Sequence, residues 1–134
     1  MNEIMTILQA DATLTGSLNG GADSIYINDA LREDKVPYLV IDEDFVNNYH
    51  AKNSGADFVK MEWVVNCYGT DYPNAITISD RVETLLDNVS SGNLTSCKLI
   101  DRETIGGNYP RRGGEITNNQ YFNIELIFQG ILRR

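Results

Sequence analysis

Residues 58–68 read FVKMEWVVNCY, and taken alternately they separate into two unlike sets. Val59, Met61, Trp63, Val65 and Cys67 are apolar throughout, whereas Phe58, Lys60, Glu62, Val64, Asn66 and Tyr68 mix charge, amide and ring. Successive side chains of a strand point to opposite faces, so this alternation predicts a strand that buries the first set and turns the second outward. The same pattern returns at residues 121–129, where Phe122, Ile124, Leu126 and Phe128 face one way and Asn123, Glu125 and Gln129 the other. Two long, half-buried strands of this kind belong at the centre of a sheet.

Between them the period changes. Ala75, Ile78, Val82, Leu85, Leu86 and Val89 fall on one stripe of a helix that Thr70 or Asp71 caps, that tolerates Pro73 in its first turn and that ends before Gly92. Upstream, Ile4, Ile7 and Leu8 recur at helical spacing, and Asp11 can cap a further turn carrying Leu14 and Leu18 before Asn19-Gly20-Gly21 closes it. Ile25-Tyr26-Ile27 reads as a short strand, and Pro37 introduces another, Tyr38-Leu39-Val40-Ile41, which Asp42-Glu43-Asp44 closes. Residues 45–56, with Asn47, Asn48, His50, Asn53 and Gly55, are expected to form a long hairpin connection. Residues 96–105 read as a strand of weak alternation, because Leu99 and Ile100 are adjacent, and residues 106–114 as a flexible insertion with four glycines. The order α, β, β, β, α, β, β predicts an α+β fold: a mainly antiparallel sheet of about four or five strands with the helices packed on one face.

With 134 residues and 15.0 kDa, a single domain over residues 1–134 is expected. Hydrophobic residues at 42% and charged residues at 22% are ordinary for a packed globular chain. The net charge of −8 argues against the basic footprint of a nucleic-acid-wrapping surface. Residues 1–50 hold 9 acids and 2 bases, whereas residues 51–134 hold 10 acids and 9 bases, so the acidity belongs to the first third. The opening Met1-Asn2-Glu3-Ile4-Met5 has neither the basic cluster nor the apolar run of a signal peptide, and no apolar stretch approaches a membrane span. A cytosol-made protein without membrane contact is expected, with Cys67 and Cys97 reduced and packed.

Candidate chemistry is sparse. His50 is the sole histidine, so a histidine-dependent hydrolase would have to pair it with Cys67 or an acid, and a solvent-facing loop histidine is the simpler expectation. Asp42-Glu43-Asp44 lacks the further ligands and tight turn of a cation loop. No metal, cofactor or catalytic residue is expected. The glycine pairs around Tyr109-Pro110-Arg111-Arg112 lack the lysine and following helix of a phosphate loop. They suit instead a flexible arm whose Arg111 and Arg112 offer forked donors to acidic partners, or a plain mobile loop. Arg133 and Arg134 read as a frayed terminus or a second basic contact, with fraying the default expectation. Trp63 is expected to anchor the core rather than report on a ligand, the role it would have in a monomeric ligand-binding or regulatory module using a groove between helix and sheet.

In its succession of elements the chain resembles the small tail-completion or tail-terminator proteins of long-tailed phages. The resemblance runs from the helix into Leu8-Gln9-Ala10-Asp11-Ala12-Thr13-Leu14-Thr15, through Asp23-Ser24-Ile25-Tyr26 and Val36-Pro37-Tyr38-Leu39-Val40, to the two long strands, the helix between them and the glycine-containing insertion. The Asn-rich residues 45–56 and the basic arm at residues 106–114 depart from the family pattern. The resemblance implies a structural virion protein with no catalytic residues, made in the host cytoplasm. It would form a ring, commonly hexameric, that caps the tail tube and joins it to a neck or head-completion protein. DNA would pass through the lumen without sequence-specific binding. Candidate partner contacts are Tyr109, Arg111, Arg112, Asn47, Asn48 and His50.

Overall fold

The computed structural model describes residues 3–27, 36–50, 57–90, 92–110 and 116–133, with side chains described outside residues 44–50, 57–58, 106–110, 116–121 and 133. The chain opens with two short helices, α1 (Glu3–Gln9) and α2 (Ala12–Gly16), and a 3₁₀ turn (Gly21–Ser24). There follow β1 (Ile25–Ile27), β2 (Tyr38–His50), β3 (Asp57–Gly69), α3 (Tyr72–Leu86), β4 (Leu94–Pro110) and β5 (Ile116–Arg133). The five strands form one sheet in the order β1-β2-β3-β5-β4, parallel only between β1 and β2. The predicted α+β class and antiparallel character are what the chain adopts.

The alternation in β3 sets the layers. Val59, Met61, Trp63, Val65 and Cys67 are all buried, as are Ile124, Leu126 and Phe128 of β5, which stand opposite or beside them in the β3–β5 register. Ile4, Leu8 and Leu14 of the N-terminal helices and Ala75, Ile78, Val82 and Leu86 of α3 complete the same cluster. All helices therefore cover one face of the sheet, and the other face carries no helix among the described residues. The starts of α2 and α3 are capped by aspartates. The Asp11 carboxylate accepts from the Leu14 N–H at 2.8 Å, and the Asp71 carboxylate accepts from the Asn74 N–H at 2.7 Å with Pro73 in the first turn.

Asp11 also joins two helices. Arg81 of α3 donates to both its oxygens, at 2.9 and 2.7 Å. That hydrogen-bonded pair, with the Leu14 N–H adding to it against the cost of desolvation, holds the Asp11 carboxyl below its ordinary value. A carboxyl whose folded pKa lies below its unfolded value of about 3.9 contributes stability above that pH and loses it as the pH falls through the folded value. Asp11→Asn keeps a capping oxygen but cannot take the charge pairing. Its acid unfolding curve is expected to lose less stability between about pH 5 and pH 2 than the parent's; identical acid limbs by circular dichroism would contradict the pairing. Asp11→Ala, which also removes the cap, is expected to cost about 1 kcal/mol.

Several boundaries differ from the sequence-based expectation. The strand expected to close at Asp42-Glu43-Asp44 runs on to His50, pairing with β3 as far as His50 opposite Asp57, with one irregularity between Phe45 and Asn47. Asn47, Asn48 and His50 are therefore strand residues, because an antiparallel ladder satisfies the backbone whatever the side chains and only one face needs apolar residues. Residues 106–110, expected in a flexible insertion, continue β4, and β5 starts at Ile116 rather than 121. Arg133 is paired with Phe58 rather than frayed. The weak alternation around Leu99 and Ile100 has a physical origin in register shifts between Thr95 and Lys98 and between Leu99 and Asp101. A bulge puts two residues opposite one, which breaks the period of two.

Candidate assembly surface

The open face of the sheet is built by the residues alternate to the core. Val64, Asn66 and Tyr68 of β3 lie between Tyr38, Val40 and Asp42 of β2 and Asn123, Glu125 and Ile127 of β5. Tyr38 stacks on Tyr68 with ring centroids 4.7 Å apart, and Tyr26 of β1 meets Tyr38 edge-on at 6.1 Å. An aromatic cluster therefore occupies the β1 side of this face, worth about 0.5–1.5 kcal/mol per pair beyond area burial. Amide pairs cross the strands beside it: Asn123 donates to Asn66 at 3.2 Å, and Gln129 donates to Glu62 at 3.1 Å. Asn123, expected to face solvent, is 4% exposed, and its Oδ1 is buried without a hydrogen-bond partner among the described residues.

The charged groups are unevenly engaged. On the helix side of β4, Arg102 reaches under α3 to Asp80 at 2.8 Å, Glu83 at 3.1 Å and the buried Ser79 hydroxyl at 2.8 Å. With Arg81 held by Asp11, both described arginine side chains are committed inside the fold. Lys60 and Lys98 are not: they flank a concavity of about 300 Å³ on the open face, floored by Gly130, Ile131 and the β4 bulge with Ser96 and Ile100. Ile100, the residue displaced by the bulge, is 55% exposed.

The sequence-predicted contact residues lie at opposite ends of the sheet. Asn47, Asn48 and His50 end β2 near the last β5 residue, Arg133, while Tyr109 lies in β4 beyond the last β3 partner, where β4 and β5 run on as a two-stranded ribbon. Arg111 and Arg112 lie outside the described residues. His50 and Cys67 are not brought together. Cys67 stands opposite Leu39, 11 residues from His50 along β2, a separation of about 35 Å at strand rise. Asp42 and Glu43 turn to opposite faces, and Glu43 accepts from the Trp63 indole at 3.0 Å, so this acidic run does not converge on a cation. Trp63 is fully buried, as a core anchor should be. No helix among the described residues is long and apolar enough to cross a membrane.

Cys67 and Cys97 are both free and buried. Burial raises both thiols, Cys97 to about 12, with the Asp87 charge adding to its shift. Since the thiolate is the reactive form, both are expected to resist alkylation at pH 8 in the native state and to react promptly in denaturant. Rapid native labelling followed by mass spectrometry would contradict their burial.

No family model and no curated protein matches the chain. A solved structure does: a chain of the "Virion of native gene transfer agent (GTA) particle" superposes with a TM-score of 0.65 over 98% of this chain and 92% of that one. At 16% identity the likeness is one of fold.

Proposed function

We propose that this protein is a structural virion component of a phage-like particle, acting as a subunit of a ring that caps the tail tube and joins it to the neck. The observation that carries this reading is the fold, shared over nearly the whole of both chains with a component of an assembled gene transfer agent virion. Three features support it. One face of the sheet has no helix over it among the described residues and mixes tyrosines, valines and isoleucines with polar groups, the composition of a surface that meets other proteins. The strand edges beyond β1 and along β4 are open among the described residues. The histidine and cysteine that a small hydrolase would need are kept apart.

In this reading the partners are further copies of the chain, in a ring of six, together with the tail tube and a neck or head-completion protein. The acidic balance of −8 would keep a passing DNA from adhering to the lumen wall. The basic arm with Arg111 and Arg112 would dock on an acidic neighbouring protein. Deleting Arg111 and Arg112 together is expected to reduce joining of tails to heads in an assembly extract while leaving the melting temperature unchanged. Undiminished joining would remove this arm from the mechanism.

A further inference from the structure

The two edges of the sheet are unlike. On one side β1 is only three residues long and covers β2 as far as Ile41, so the outer edge of β2 from Asp42 onward has no strand beside it among the described residues. Asp42 is exposed on the open face at that point, Glu43 is exposed beside it, and Asp23 is exposed in the turn leading to β1. On the other side β4 is an edge strand along its length, and its bulges open the concavity that Lys60 and Lys98 flank. Neither lysine has an acidic partner among the described residues, and the exposed Ile100 stands at the same place.

We infer that the concavity bounded by Lys60, Lys98 and Ile100 receives the acidic β1–β2 edge, centred on Asp42, of a second copy of this chain. The inference takes the ring reading as its premise and assigns its seam. Charge complementarity selects the occupant: the chain is acidic overall, its own Asp42 is exposed on the β2 edge, and neither Lys60 nor Lys98 has an acidic partner among the described residues. The two patches are different surfaces, one on the β2 edge and the other spanning β3, β5 and β4, and the inference pairs one of each per contact, head-to-tail. Such contacts propagate from copy to copy and close into a ring when the rotation permits, whereas an isologous contact stops at a dimer. The exposed Ile100 supplies the apolar centre that a rim of charges alone lacks.

The geometry makes an unusual mixing experiment possible. Lys60→Glu with Lys98→Glu gives a chain acidic at both patches, and Asp42→Lys gives one basic at both. Each alone sets like charges face to face, and association is expected to weaken by about 100-fold or more. Mixed in equal amounts, the two should assemble as alternating copies in equal numbers, read by native mass spectrometry. Lys98→Gln and Asp42→Asn, which add no repulsion, should each weaken association by about tenfold and make it less sensitive to salt. Melting curves of the lysine variants are expected to match the parent, since neither ammonium has an acidic partner among the described residues. If wild type assembles and every variant assembles equally well alone, the seam lies elsewhere and the inference fails while the ring reading stands. A mixture that yields only one-to-one dimers would overturn the head-to-tail arrangement. A wild-type chain that stays monomeric under all conditions would overturn the ring reading itself.

Discussion

Replacing Trp63 by alanine is expected to lower unfolding stability by about 3–5 kcal/mol. The ring is fully buried, opposite Phe128 on the neighbouring strand, and its indole N–H donates to Glu43 at 3.0 Å. The space it fills exists because residue 130 is glycine: a β-carbon there would lie 2.9 Å from the ring and 3.2 Å from the Cys97 Cα. Removing the ring leaves a cavity between two central strands that are hydrogen-bonded along their length, so collapse around it is restricted. Trp63 is the sole tryptophan, so the comparison needs circular dichroism in denaturant rather than fluorescence. A loss below about 1 kcal/mol would place the side chain at the surface instead.

Gly69→Ala is expected to destabilise by about 3 kcal/mol despite adding a single methyl group. A β-carbon at this position would lie 2.6 Å from the Ala75 amide nitrogen, 2.8 Å from its Cα and 2.9 Å from its Cβ. The obstacle is backbone in the first turn of α3, and that turn cannot retreat easily. Asp71 caps it, the Ala75 N–H donates to the Asp71 carbonyl at 3.0 Å, and the Asn74 side chain accepts from the Thr70 N–H at 3.0 Å. Gly69 is therefore where β3 and α3 approach closely enough for the strand to feed directly into the helix. Adding Ala75→Gly should fail to restore stability, because two of the three contacts are to main-chain atoms. Full rescue by that second change, measured by thermal melts, would show that the packing constraint is between side chains.

The central strands were legible because their apolar and polar residues alternate without interruption over Val59 to Cys67 and Ile124 to Phe128, and burial follows that alternation. The α3 stripe and the Asp11 and Asp71 caps were legible for the same local reasons. What the sequence hid was set by pairing. Asn47, Asn48 and His50 carry no strand signal of their own and are strand because β3 offers them a ladder. Leu99 and Ile100 blur the pattern because a bulge intervenes, and that bulge creates the concavity beside Lys98. Lys60 and Lys98, 38 positions apart in the chain, meet only through the β3–β5–β4 register. A sequence-level trace existed in Lys60, the one base on the outward set of residues 58–68, but its partner on β4 could not be read before the strand order was known. Arg81 and Arg102, which no local pattern singled out, hold the helices to the rest of the fold through partners far away in the chain.

The ring is the claim on which the functional account rests. Electron microscopy of the purified chain, with mass measured in parallel by light scattering across concentration, tests it most directly. The account predicts closed rings with a central opening and a mass that is a fixed multiple of 15.0 kDa. A monodisperse 15.0 kDa species at high concentration, with no rings on the grid and no activity in joining tails to heads, would contradict it.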